Sequence, residues 1–244
     1  MEAPPLDRTQ VHVWAASLQT ASEAWEDLCV ELAPDERARA GRFRTPQLRR
    51  RFVVARIFLR RILAAYASLD ASALRIGYGI HGKPCLVDAP DLRFNVSHAD
   101  DAAMYAIAAG RDVGIDIEAT GREIDVAGVA RQAFSSRECE ALAALALDAR
   151  QEAFFRIWTR KEAYVKAHGD GLSYPTRSFS VSHDGDDDAL IDDERNGEAR
   201  QRWRVIGLDA PPGFAAALTA KGHDWTVLRF DAARLPYQYH RTKS

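Results

Sequence analysis

Four short stretches of this chain carry residue types that could do chemistry. In Val113-Gly114-Ile115-Asp116-Ile117-Glu118, two acids stand two residues apart within an apolar run. Side chains alternate along a strand, so Asp116 and Glu118 face the same side. Two carboxylates on one face repel unless a cation lies between them. Hard oxygen ligands in that pattern suit Mg²⁺, which takes one or two carboxylates together with substrate phosphates. An edge strand with its acidic face in water would leave the same pattern.

The second stretch is Phe154-Phe155-Arg156-Ile157-Trp158-Thr159-Arg160-Lys161-Glu162-Ala163-Tyr164-Val165-Lys166. On a helix, Phe154, Ile157, Trp158, Tyr164 and Val165 form an apolar stripe, and Lys161 lies within it. A cation there is costly unless it snorkels or pairs with an anion. Glu162 and Lys166 run along the edge of the stripe, four residues apart. As a surface pair they are worth about 0.2–0.5 kcal/mol. As machinery, Glu162 is a carboxylate for metal binding or proton transfer, flanked by two lysines for phosphate. The third stretch, Phe94-Asn95-Val96-Ser97-His98, ends a strand in a hydroxyl and an imidazole that suit a phosphate. No Gly-x-Ser-x-Gly elbow surrounds Ser97, which argues against a hydrolase. The fourth, Gly82-Lys83-Pro84, is a turn carrying one lysine. No Walker loop occurs, and Gly77-Tyr78-Gly79 lacks the third glycine of a dinucleotide fingerprint.

The elements that must hold these groups can be read from periodicity. Helices are expected over residues 21–30, 34–43, 46–66, 136–147 and 151–168, with Gly169 and Gly171 stopping the last. In residues 46–66, Phe52, Leu59, Ile62, Leu63 and Tyr66 share one face and the arginines take the others. Strands are expected over residues 11–16, 74–78, 84–87, 92–96, 102–108, 113–118, 178–182, 203–208, 214–219 and 225–230. Each half of the chain runs long helix, turn, strand, a weak duplication. It predicts an α+β fold of two similar halves, residues 1–110 and 111–244, with a site between them.

Composition bounds the partners. The chain has 244 residues, 47% hydrophobic and 28% charged, with a net charge of -2. No global field draws it to nucleic acid or membrane. Ten arginines and no acid lie in residues 37–61, a run suited to phosphates or acidic partners. Seven acids and no base lie in residues 184–194, which reads as a solvated loop. No secretory signal or membrane-spanning run is evident. Three scattered cysteines offer neither a disulfide framework nor a Cys-x-x-Cys pair, so a reduced, cytoplasmic setting is expected.

Taken together and in order, Gly82-Lys83-Pro84, Phe94-Asn95-Val96-Ser97-His98, Gly114-Ile115-Asp116-Ile117-Glu118 and the segment from Trp158 to Lys166 resemble the surfactin-synthetase type of 4′-phosphopantetheinyl transferase. That family's pattern Trp-x-x-Lys-Glu-(Ala or Ser)-x-x-Lys is met at every fixed position. The resemblance implies a pseudo-dimer of two α+β halves with coenzyme A (CoA) in the cleft between them. It implies transfer of the phosphopantetheine arm of CoA to a serine of an apo acyl or peptidyl carrier protein, with Mg²⁺, or alternatively Mn²⁺. By position, Asp116, Glu118 and Glu162 match metal-binding acids, and Glu162 also the base. Lys166 matches the lysine on the pyrophosphate and Lys161 its phosphate-contacting neighbour. Ser97 and His98 match the pair on the 3′-phosphate. Lys83, Arg39 and Arg51 match basic positions around the nucleotide. Glu36 stands near where some relatives carry a further lysine. Arginines left over from CoA, Arg49 and Arg50 among them, suit an acidic carrier-protein helix. The resemblance implies a monomer. A CoA-binding sensor or scaffold without transfer is the alternative, against which the intact acids argue.

Overall fold

The computed structural model describes residues 3–19, 23–185 and 187–235. The fold is α+β, built from two halves that each lay one long helix on one sheet. In the first half the sheet holds β1 (Gln10–Ser17), β4 (Leu92–Ala99) and β5 (Ala102–Ala109). β5 lies between the other two and pairs antiparallel with both. Its sequence, Ala-Ala-Met-Tyr-Ala-Ile-Ala-Ala, is apolar on both faces because both faces are covered. One face receives α2 (Pro46–Ala67), whose Val54, Phe58, Leu59, Ile62 and Leu63 pack on Trp14, Phe94 and Tyr105. Thr45 caps α2 by accepting from the Leu48 N–H at 3.3 Å, and Pro46 occupies the first turn, where a missing N–H costs nothing. A short helix, α1 (Pro34–Ala40), precedes α2, and the hairpin β2 (Ile76–Tyr78) and β3 (Pro84–Leu86) follows it.

The second half repeats the plan. Its sheet, in order, is β6 (Val113–Ala119), β10 (Phe214–Lys221) and β9 (Trp203–Leu208), all antiparallel. Across it lies α5 (Leu147–His168), 22 residues long like α2. Gly169 ends α5 in the left-handed region at φ 83°, as Ser68 ends α2 at φ 54°. The two sheets share a core of Val11, Val13, Met104, Ile115, Ile117 and Leu218, among others. Asn95 of β4 accepts from the Ile115 N–H of β6 at 2.9 Å, which ties the facing edges of the halves together.

One strand crosses between the halves. β11 (Thr226–Asp231) follows β10 in sequence but pairs parallel with β1, at the edge of the first sheet. Phe230 of β11 stacks on Trp14 at 4.7 Å.

Several local expectations differ from the structure. The described part of residues 21–30 is a 3-10 helix, Glu23–Glu31, and not an α-helix. A helix not anticipated, α3 (Val126–Ala133), precedes α4 (Ser136–Ala144). The arginines of α2 are not all on solvated faces: Arg60 is buried and donates to Glu36 and to the carbonyls of Ala71, Ser72 and Leu74. The acidic segment 184–194 is not wholly a solvated loop. Ala189 and Leu190 are buried, and β8 (Leu190–Asp193) pairs with β7 (Phe179–Val181). Asp193 is buried with them, accepting from the hydroxyls of Tyr164 and Tyr174. A turn of helix, α6 (Ala199–Arg202), leads into β9. Among the described residues, no helix is long and apolar enough to cross a membrane.

Candidate active site

The facing strands β4 and β6 floor a cleft walled by α2 on one side and α5 on the other. Gly114 sets how closely α5 approaches. A Cβ there would stand 2.1 Å from the Ala163 carbonyl and 2.4 Å from the Ala167 N–H, so only a glycine lets this helix lie on β6. The close approach brings Lys166 down onto the strand. Its ammonium donates to Asp116 Oδ1 at 2.6 Å, to Ser97 Oγ at 3.0 Å and to the Ile115 carbonyl at 3.3 Å. Ser97 in turn donates to Asp116 Oδ1 at 2.8 Å. Ser97, Asp116 and Lys166, from three separate motifs, thus form one connected group.

Glu118 and Glu162 border the same group. Burial pushes Asp116 above the usual carboxylate range, against the pull of Lys166 and Ser97. Burial and then the Asp116 charge raise Glu118, opposed by Arg122 and Lys166. Burial and then Asp116 raise Glu162 as well, with Lys166 opposing and Glu118 adding to the rise. A buried Asp116 that raises two neighbouring glutamates is an arrangement that a cation relieves. Asp116 Oδ2 is buried and has no hydrogen-bond partner among the described residues. An all-oxygen donor set with one unpaired buried oxygen fits a hard divalent ion. Among the described residues, no three His, Cys, Asp or Glu side chains already stand as a closed ligand set. Lys166 takes Asp116 Oδ1, and Arg122 donates to Glu118 at 2.9 Å.

Toward α2 the cleft opens into a cavity of about 370 Å³. Ser97, His98 and Lys166 line it from one side, and Arg39, Arg56 and Tyr78 from the other. His98 is exposed and lines this space. Partial desolvation, followed by the charges of Lys166, Arg39 and Arg51, holds its pKa below the ordinary value. The guanidinium of Arg39 sits over the Phe52 ring at 5.2 Å. Arg51 is engaged beside the cleft, donating to Asp101 at 2.8 Å and Asp100 at 3.3 Å. Lys83 donates to the Ala167 carbonyl at 2.7 Å, and burial lowers its pKa to about 8.

Lys161 lies elsewhere. Its side chain is 2% exposed and points into the core of the second half, away from the cleft. It donates to both oxygens of Glu138 at 2.7 Å and to the Phe179 carbonyl at 2.6 Å. Glu138 also accepts from the N–H groups of Ser135 and Val181, each at 2.8 Å. A lysine so committed does not reach a phosphate in the cleft. The expectation of a phosphate contact is therefore corrected to a structural ion pair. The Ser135-x-x-Glu138 capping box was the available signal, since it places a carboxylate at a helix start. Gly114, Tyr78 and Arg56 were not singled out as site residues by sequence reasoning. Glu36 does not face the cavity either: it is buried beneath it, on Arg56 and Arg60.

Residues 112–219 match the family described as the 4′-phosphopantetheinyl transferase superfamily, and residues 14–111 match 4′-phosphopantetheinyl transferase, N-terminal. The chain is 40% identical over 219 residues to 4′-phosphopantetheinyl transferase HetI of Nostoc sp., covering 88% of this chain and 90% of that protein. The chain belongs to the 4′-phosphopantetheinyl transferase superfamily. Other members are similar over less of their length. The transferase Sfp of Bacillus subtilis is 32% identical, covering 80% of this chain and 84% of that protein. The human L-aminoadipate-semialdehyde dehydrogenase-phosphopantetheinyl transferase is 27% identical, over 66% and 57% respectively. The junction between the two family matches, at residues 111 and 112, falls just before β6. The cleft of this transferase therefore lies where its two matched regions meet.

Proposed function

We propose that this enzyme transfers the 4′-phosphopantetheine arm of CoA to a serine hydroxyl of an apo acyl or peptidyl carrier protein. The carrying observation is the gathering of Asp116, Glu118, Glu162 and Lys166 beside a cationic cavity, in a chain of this family. The serine oxygen bonds to the phosphorus that bears the pantetheine arm. The bond from that phosphorus to the bridging oxygen breaks, and 3′,5′-ADP leaves. Glu162 takes the hydroxyl proton, directly or through a water, and its raised pKa makes it a competent acceptor. Lys166 sets its charge against the pyrophosphate as negative charge builds there. Ser97 and His98 hold the 3′-phosphate, while Arg39, Arg51 and Lys83 contribute charge around the nucleotide. Mg²⁺, or Mn²⁺, held by Asp116, Glu118 and Glu162 would supply neutralisation of the phosphoryl oxygens. Arg49 and Arg50, near the N-terminal end of α2, suit an acidic carrier helix.

The test is direct. The protein is incubated with CoA, Mg²⁺ and an apo acyl carrier protein, and the carrier is weighed by intact mass spectrometry. A gain of one phosphopantetheine is expected, absent with EDTA and with Glu162→Ala. Transfer that survives Glu162→Ala would overturn the base assignment. A protein that binds CoA but modifies no carrier of several types would overturn the transfer reading in favour of a sensor.

A further inference from the structure

Glu36 is 4% exposed and sits at the centre of an arginine cluster. It accepts from Arg60 at 3.2 Å, from Arg56 Nε, and from the Ala33 N–H at 2.9 Å at the start of α1. Arg60 is buried, and its remaining N–H groups are spent on backbone carbonyls. One carboxylate therefore faces two guanidiniums, and Arg60 alone would neutralise it. The charge of Arg56 is surplus to that pairing. Arg56 Nη2 donates to the Tyr78 hydroxyl at 3.1 Å, which fixes the guanidinium in the wall of the cavity. Among the described residues, Nη1 finds no partner. The cavity wall thus carries Arg39, Arg56, Lys166 and His98, and no carboxylate. The carboxylates that pair with Arg56 and Lys166, Glu36 and Asp116, stand outside the lining of this space, so its wall offers an anion N–H donors and no carboxylate. Held by its Nε and by one Nη2 N–H, Arg56 keeps its remaining Nη N–H groups for phosphate oxygens.

We propose that Arg56 binds the 3′-phosphate of CoA directly, and that Glu36 is the positioning residue that aims it. The assignment deepens the proposed function and rests on it. In that reading the pyrophosphate must lie beside Asp116 and Lys166, on the α5 side. Arg56 stands on α2, in the wall of the cavity that Arg39 and His98 also line. The phosphate available there is the 3′ one.

Calorimetric titration of the wild type, Arg56→Gln, Arg56→Lys and Glu36→Gln with CoA and with 3′-dephospho-CoA tests this. Arg56→Gln is expected to fold, because Arg60 and the Ala33 N–H remain on Glu36, and thermal melting checks it. It should bind CoA about 10- to 100-fold more weakly, the worth of a charge-assisted contact, and change 3′-dephospho-CoA by less than about twofold. Arg56→Lys should recover part of the loss, since a point charge replaces the fork. Glu36→Gln should weaken CoA by an intermediate factor, again sparing 3′-dephospho-CoA. Wild-type affinity for CoA in Arg56→Gln, or equal losses for both ligands, overturns the inference. If Arg56→Gln does not fold, Arg56→Lys decides: an unchanged preference for CoA over 3′-dephospho-CoA overturns it. A wild type that binds no CoA sinks the transferase reading instead.

Discussion

Lys83 reaches across the cleft to the Ala167 carbonyl at 2.7 Å, and burial brings its pKa to about 8. The ammonium is therefore present in the free protein below that pH and lost above it. If it meets a phosphate, binding above that pH must first restore the proton. Affinity for CoA should then fall as pH rises through about 8, and Lys83→Arg should remove most of that fall because a guanidinium stays charged. Calorimetry on either side of this value checks it, and a wild type as flat as the arginine variant refutes the contact. At this scale much of the site was readable. Asp116 and Glu118 alternate with apolar neighbours, and Glu162 and Lys166 share a helix edge, so each pair's common face follows from backbone geometry alone. What Lys161 touches was not readable. Its position in the stripe demanded an anion, but Glu138 lies 23 residues away and only the packing of α4 on α5 names it.

At the scale of elements, the Lys161–Glu138 pair pins α5 to α4, and through the Phe179 carbonyl and the Val181 N–H to β7. Removing one partner leaves a buried charge that water cannot reach. Lys161→Met should therefore destabilise the fold by about 3–5 kcal/mol. Lys161→Met with Glu138→Leu should restore part of that loss, because both charges leave together. Denaturant titration of the two variants distinguishes this from a phosphate-binding lysine, whose loss would weaken CoA and leave the folded state intact. The start of α2 and the end of α5 were legible to the residue, since Pro46 starts one and Gly169 stops the other, and their other ends lie one and four residues away from the expected ones. β8 was not, because its acids masked the short apolar run Ala189-Leu190-Ile191, whose last two residues join a strand beside β7.

On the whole molecule, the duplication was visible as two long helices each leading to a strand. The partner of the last strand was not. Residues 225–230 read as a strand by composition, but nothing in that run says which sheet edge it joins. β11 shields β1, and Phe230 covers Trp14 and the buried His12. A chain ending at Trp225 should lose the first half's fold although none of that half's own residues is missing. Circular dichroism and limited proteolysis check this, and a truncated chain that melts like the full one contradicts it.

The order of β1 and β11 matters while the chain is being made. β1 leaves the ribosome long before its parallel neighbour Thr226–Asp231, with both long helices and the rest of both sheets made in between. Throughout that interval the growing chain presents β1 as an open edge, with Val11, Val13 and Trp14 beside it. Two nascent chains on one message would each offer the other that edge. The first half therefore cannot finish before the second is nearly complete, and slow translation through the second half lengthens the time in which neighbouring copies can pair.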